Sequence, residues 1–353
     1  MLEGSTVAGP TIAEAAASLS LAPLWTVYKN IMGNEPAPSC AAALWRYRDV
    51  RPLLARAGAE VSTQEAERRV LLLRNPGLEK PFATHTLGCG LQLLRGGEVE
   101  GSHRHTPAAL RFVLEGEGAY TTTDGERIWM TPGDLITTPS WTWHDHGKTN
   151  DGDMIWLDGI DVPLINHLGL NFTEYMAGDR QQAPDVADGA STYRYGSGLL
   201  PISHGRRRPY SPIYSYPYAR TREALERLRA ESIWDPCHGL KLRYSNPLDG
   251  GDIMPTLAAF MQLLPEGFET TPYRSTDATI FCVVEGAGSA RVGNEEFVLS
   301  HHDVLVVPNW TRHVFRADED LVLFSYSDRA MQQRLSLWSE QRGDEVRRPT
   351  DGS

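Results

Sequence analysis

Cysteine is scarce. The 353 residues hold four (Cys40, Cys89, Cys237, Cys282), and no two form a C-x-x-C pair. That excludes a disulfide scaffold and a zinc site built on paired thiolates, and it fits a reducing cytosol. Basic charge is also in deficit. Thirty-four Lys and Arg stand against 45 Asp and Glu, for a formal charge of −11, the wrong sign for a chain that neutralises nucleic-acid phosphates. No stretch approaches the ~18 consecutive apolar residues of a membrane helix. The first residues, MLEGSTVAGPTIAEAAASL, lack the basic start and apolar run of a secretory signal. What is present suits a globular protein: 41% hydrophobic and 22% charged residues, too apolar for disorder, on a chain long enough for about two domains. The expectation is a cytoplasmic protein acting on a small molecule, with neither nucleic acid nor membrane as partner.

The first ~80 residues read as helices by their patterning. One is alanine-rich, from Thr11 to Leu21, closed by Pro23 because proline cannot continue a helix. A second runs from Ala41 to a stop at Gly58, and a third opens at the capping-box-like Ser62-Thr63-Gln64-Glu65. From Thr84 short runs of β-branched and aromatic residues (RFVLE, AYTTT, DLITTP, MIWLDGI) alternate with Gly and Asp turns, the pattern of an antiparallel sandwich or barrel. Residues 175–255 lose this rhythm, apart from an exposed helix at 221–232, and strands return after 256. The strand-rich segments match each other. Gln92-Leu-Leu-x-x-Gly aligns with Gln262-Leu-Leu-x-x-Gly, and Val113-Leu-Glu-Gly-Glu-Gly with Val283-Val-Glu-Gly-Ala-Gly. Gly133-Asp134-x4-Pro139-x4-His144 aligns with His302-Asp303-x4-Pro308-x4-His313. A repeat of roughly 170 residues implies a duplicated barrel. The chain thus divides into a helical arm (1–83), a first barrel (84–174), a linker with one helix (175–255), a second barrel (256–330) and a tail (331–353).

Histidine carries the chemistry. Gly97-x5-His103-x-His105 precedes His144-x-His146. On a strand, residues i and i+2 share a face, so each pair can look into a barrel together. Three neutral imidazoles form a facial metal site with open positions for a substrate and dioxygen.

G-x5-H-x-H with P-G-D-x4-P-x4-H is the cupin double motif, and the glutamate usual at H-x-H-x3-E is here Ala109. The segments ALWRYRDVRPLLARAG, AERRVLLLRNPG, HRHTPAALRFVLEGEGAYTTTDGER and WTWHDHG…WLDGIDVPL resemble the bicupin gentisate/salicylate 1,2-dioxygenases, including the 1-hydroxy-2-naphthoate enzymes. The resemblance covers most of the chain. It implies a mainly β bicupin and a homotetramer with one Fe(II) per subunit, in the first barrel, held by His103, His105 and His144. The implied reaction inserts both atoms of O2 between the carboxyl- and hydroxyl-bearing ring carbons of a small aromatic acid. Gentisate is the default substrate; salicylate, its 5-amino, halo or nitro forms and 1-hydroxy-2-naphthoate are the alternatives.

By the same resemblance His146 contacts substrate or oxygen. Arg111, inward by parity and with a fork suited to a carboxylate, binds substrate; a rim salt bridge is its competing role. Gln92 matches a pocket residue, against a polar core residue satisfied by backbone. Gly88, beside Cys89, is small where relatives carry an aromatic, which enlarges the pocket; the alternative is a β-bulge glycine. Asp158 either orients a ligand histidine or caps a turn. Arg68 and Arg69 read as a solvated pair, with reach into the site from the helical arm as the alternative, and Arg206-Arg207-Arg208 as a loop or subunit contact. In the second barrel Tyr273 and Ser275 stand at the positions of His103 and His105 and only His313 remains, so a metal-free barrel serving folding and assembly is expected. Two other classes compete: a storage or sugar-binding bicupin, which tends to lose its ligands, and a zinc or manganese isomerase or hydrolase, which generally keeps the glutamate.

Overall fold

The computed structural model describes residues 11–177, 181, 186–203, 208–231 and 233–348; Arg206 and Arg207 lie outside the described residues. The chain divides into two units, Met1–Ala37 and Pro38–Ser353. The first contains the helices Ile12–Ser18 and Leu24–Ile31. Thr11 opens the former with a reciprocal capping box to Glu14, satisfying amides that a helix start leaves unpaired. No described helix is long and apolar enough to cross a membrane.

The large unit is two antiparallel barrels, each made of two sheets. In the first barrel a six-stranded sheet runs in the order Ser215–Tyr216, Leu135–Thr138, Ala109–Glu115, Asp153–Ile160, Gly88–Arg95, Arg69–Leu72. It faces a five-stranded sheet, Thr173–Tyr175, Val99–His105, His144–Lys148, Ala119–Thr123, Glu126–Trp129. In the second barrel one six-stranded sheet runs Ala43–Trp45, Val304–Val307, Thr279–Glu285, Leu321–Ser327, Ala258–Leu264, Leu240–Arg243. The other runs Glu295–Leu299, Gly288–Val292, His313–Ala317, Tyr273–Ser275, Glu340–Arg342, Glu345–Arg347. One core lies between the barrels: Leu91, Leu93, Leu110, Phe112 and Leu157 meet Met261, Leu263, Ile280, Val306 and Phe324, with Phe112 stacked on Phe324 at 4.1 Å. These strands are buried on both faces, which is why they read as continuous apolar runs rather than alternating ones.

The first 83 residues are not helical alone. Ala43–Trp45 adds a strand to the second barrel and Arg69–Leu72 adds one to the first. The helix between them is Tyr47–Glu60, and Gly58 does not end it. Gly58 is buried inside the last turn, where a Cβ would sit 2.7 Å from Leu93 Cδ2; its smallness lets helix and barrel touch. The helix expected from Ser62 is a single turn, Thr63–Ala66. After residue 331 the chain supplies the strands Glu340–Arg342 and Glu345–Arg347, which join the second barrel.

Candidate active site

Along the inward-facing positions of the first barrel the side chains change from apolar to polar. Leu94, Val113, Ile136 and Trp156 close one end. Two residues along the same strands, at the same parity, Gln92, Arg111, Thr138 and Asp158 stand at the other. Here a cavity of about 270 Å3 opens, lined by Arg68, Gly88, Gln92, His103, His105, Ala109, Arg111, His144, Asp158 and Ile160 among others.

His103 and His144 are cross-strand partners and His105 follows two residues on. The three offer nitrogens within 4.8 Å of one another and are the one such cluster of metal-binding side chains among the described residues. Each Nδ1 lies against a backbone carbonyl: His103 on Gly101 (3.1 Å), His105 on Pro107 (2.7 Å), His144 on Thr142 (3.0 Å). A carbonyl only accepts, so Nδ1 carries the hydrogen and Nε2 keeps the lone pair. His144 Nε2 is buried with no partner. Burial, followed by neighbouring positive charge, holds the imidazoles of His103 and His144 below the usual range, and burial brings His105 down to about 4. Three neutral imidazoles with fixed tautomers and converging lone pairs are the donor set a divalent metal needs. From outside, Arg104 lies over the Trp141 and Trp143 rings, 4.3 and 4.6 Å from their centroids, and pairs with Glu174 at 2.6 Å. It pins the strand between the two histidines.

Arg111 is buried, with its Nε 3.6 Å from Asp158 and an Nη donating to Thr138 Oγ1. Its Nε has no hydrogen-bond partner. Asp158 orients no ligand histidine, since backbone carbonyls hold all three; instead it accepts from Trp156 Nε1 at 3.0 Å and offsets the charge of Arg111. Nor does it cap a turn: it lies within the strand Asp153–Ile160, opposite Arg111 and Gly90. Gly88 faces the cavity in an unbroken ladder opposite Ile160, so no bulge requires it, and a Cβ there would come within 2.8 Å of Ile160 Cγ2. Cys89 turns the other way, into the core between the barrels. His146 stands behind the lining, its ring 5.9 Å from that of His144. Its Nδ1 is 2.9 Å from Thr121 Oγ1, and that hydroxyl donates to Met130 Sδ. The hydroxyl oxygen therefore accepts from Nδ1–H, leaving Nε2 as a buried, unpartnered acceptor.

Sequence reasoning set one site residue aside and missed another. Arg68 is not a solvated twin of Arg69. The two face opposite sides of the chain: Arg68 lines the cavity, its Nη2 2.7 Å from both ring nitrogens of His103, while Arg69 is buried against Gly58 O and Glu98. Alternation along a strand would have shown this once Arg69–Leu72 was recognised as one. Glu100 is also buried in the barrel, where it accepts from Gln92 Nε2 at 2.7 and 2.6 Å. Parity with His103 would place it outside. The register slips by one residue between Glu100 and His103, and this β-bulge turns Glu100 inward. Burial pushes its carboxyl up to about 7.

In the second barrel Tyr273 pairs with His313 as His103 pairs with His144, and Ser275 replaces His105. The fold and site therefore define a bicupin with one histidine triad, in its first barrel. Residues 90–160 match the Cupin domain family. The chain is 47% identical over 326 residues (92% of this chain, 94% of the relative) to gentisate 1,2-dioxygenase 1 of Aquipseudomonas alcaligenes. It is 34% identical to 5-aminosalicylate 1,2-dioxygenase of a Comamonas species, across 93% of this chain and 88% of the relative. The solved structure of salicylate 1,2-dioxygenase from Pseudoaminobacter salicylatoxidans with gentisate superposes with a TM-score of 0.90 at 31% identity, covering 98% of this chain and 96% of that one. The chain belongs to the gentisate/salicylate 1,2-dioxygenase family of ring-cleaving cupin enzymes.

Proposed function

We propose that His103, His105 and His144 hold Fe(II) and that the enzyme opens the ring of a 2-hydroxybenzoate, with gentisate the first substrate to test. The observation that carries this reading is the convergence of three neutral imidazoles and two arginines on one cavity. Bound iron would supply a centre at which the substrate's carboxylate and hydroxyl oxygens and O2 meet and exchange electrons. The chain's own residues do the rest. Arg111 faces the substrate carboxylate with a guanidinium held rigid by Asp158 and Thr138. Arg68 supplies a second cation; with the His103 lone pair committed to a metal, its guanidinium would be available to the substrate carboxylate. His146, behind the lining with its ring 5.9 Å from that of His144, backs a metal-binding imidazole rather than meeting the substrate directly. Gln92 lines the wall that the ring substituents meet, and Ala109, where the cupin pattern has glutamate, adds no further charge. Three neutral ligands leave the metal's charge to be balanced by an anionic chelate.

The comparisons support a range of ring substituents, since relatives are named for gentisate and 5-aminosalicylate. Oxygen uptake by iron-loaded enzyme with gentisate, salicylate, 5-substituted salicylates and 1-hydroxy-2-naphthoate tests the reading. One O2 consumed per ring opened supports it; iron-loaded enzyme that consumes no O2 with any of them refutes it. We further propose a homotetramer, read by light scattering, and a cytoplasmic location, in keeping with four free cysteines.

A further inference from the structure

Glu100 has no part in the reading so far, yet it is 3% exposed and sits opposite His146 across the ladder of the catalytic barrel. Its two oxygens lie 2.7 and 2.6 Å from Gln92 Nε2, and Arg68 Nε is 3.7 Å away. An amide presents a donating side and an accepting side. Ionised or protonated, Glu100 keeps at least one accepting oxygen, so it captures the NH2 group and leaves the carbonyl oxygen turned from it. That oxygen has no hydrogen-bond partner among the described residues, and Gln92 lines the cavity beside His103, Arg111 and Asp158. The backbone of Gln92 is fixed in the ladder opposite Trp156 and Val70, so the side-chain torsions decide where the amide points, and the contact with Glu100 sets the last of them.

We propose that Glu100 is a positioning residue that holds the Gln92 carbonyl oxygen toward the substrate. The resulting acceptor selects 2-hydroxybenzoates whose ring carries a second hydrogen-bond donor, a hydroxyl or amino group, over those carrying hydrogen, halogen or nitro. The proposal rests on the ring-cleavage reading above. A donor on the ring satisfies the oxygen when substrate displaces water; a halogen leaves it unpaired, and a nitro group sets acceptor against acceptor, in a site where an unmet polar group is costly.

The test compares gentisate and 5-aminosalicylate with salicylate and 5-chlorosalicylate, by kcat/KM in air and by anaerobic Kd from fluorescence titration. The iron-loaded wild type, Glu100→Gln, and the exchange variant Gln92→Glu/Glu100→Gln are measured. In Glu100→Gln position 100 gains a donor for the Gln92 oxygen, so the Gln92 amide is no longer held in one orientation and its NH2 is also presented to the cavity. The preference for donor-bearing rings should fall ~10-fold in both kcat/KM and Kd, at unchanged iron per subunit. The exchange variant puts a carboxylate, which can only accept, at position 92, and should restore the preference. A merely structural role for Glu100 would lower all four substrates in parallel and would not be rescued by the exchange. Parallel loss, wild-type ratios retained in Glu100→Gln, or failure of the exchange variant to recover the preference would each overturn the proposal. If the wild type opens none of the four rings, the ring-cleavage reading fails instead, and the anaerobic Kd ratios still decide the role of Glu100.

Discussion

His103, His105 and His144 each commit Nδ1 to a backbone carbonyl, as His313 does, but among the described residues only these three bring ring nitrogens together in one cluster. Alanine at any of the three should remove bound iron together with activity. His313→Ala should leave iron per subunit unchanged, because its neighbours at the matching positions are Tyr273 and Ser275; elemental analysis of the four purified variants checks both statements. The arginines act on substrate rather than metal, since a guanidinium offers no lone pair. Arg111→Ala should keep its iron and lose roughly two to three orders of magnitude in kcat/KM, the loss of a charge-assisted pair worth ~2–5 kcal/mol. Near-normal turnover would place the carboxylate on Arg68 alone. At Gly88 the question is volume. A tryptophan there must displace the Ile160 methyl group and fill the cavity. Rings with bulky substituents should then lose ~1–3 kcal/mol more than unsubstituted salicylate, read as the ratio of their kcat/KM values; equal losses with iron retained would remove Gly88 from the specificity argument.

Between strands and helices the duplication runs further than the matched motifs show. Tyr47 and Tyr218 each begin a 14-residue helix, Tyr47–Glu60 and Tyr218–Glu231. Tyr47 N donates to Asp303 and its hydroxyl to Glu115; Tyr218 N donates to Asp134 and its hydroxyl to Glu285. Each helix thus ties the two barrels together, which explains the Glu and Asp common to both repeats. A second reciprocal pair crosses the interface. Thr86 Oγ1 donates to Asp328 and Thr256 Oγ1 to Asp161, and each Asp also accepts a backbone amide of its own barrel, Ala278 or Ala108. Burial pushes Asp328 from the ordinary 3.8 up to about 7 and Asp161 up to about 6. Unfolded, both groups lose their protons near pH 4; folded, they keep them longer. Folding is therefore penalised progressively as pH rises from about 4 to 7, by up to about 1.4 kcal/mol per unit and group. Asp328→Asn should flatten that part of the stability curve relative to wild type in denaturant titrations between pH 4 and 7. An unchanged slope would show that Asp328 is ionised in the folded protein throughout.

Across the whole molecule, the features legible in the sequence were those set by local spacing. Two H-x-H pairs inside a strand pattern pointed to a histidine cluster, the family resemblance picked the triad from its four members, and three motifs in the same order pointed to two barrels. What depends on a partner strand was hidden. Arg68 reaches the cavity because Arg69–Leu72 pairs with Gly88–Arg95, Glu100 because a bulge reverses its side, and the helix-to-barrel ties because they join residues some 250 apart, such as Tyr47 and Asp303. The charge pattern of the site, two arginines, the half-buried Asp158 and the buried Glu100 around three neutral imidazoles, became readable only when the strands were placed side by side. The proposed chemistry requires this triad to hold ferrous iron, at which a 2-hydroxybenzoate ring takes up both atoms of dioxygen. Mass analysis of the ring-opened product from gentisate under 18O2, with enzyme carrying measured iron, tests it most directly. Two labelled oxygens per product, and none formed by His144→Ala, are the predicted result; a product with one label or none, or turnover that survives loss of the triad, would contradict it.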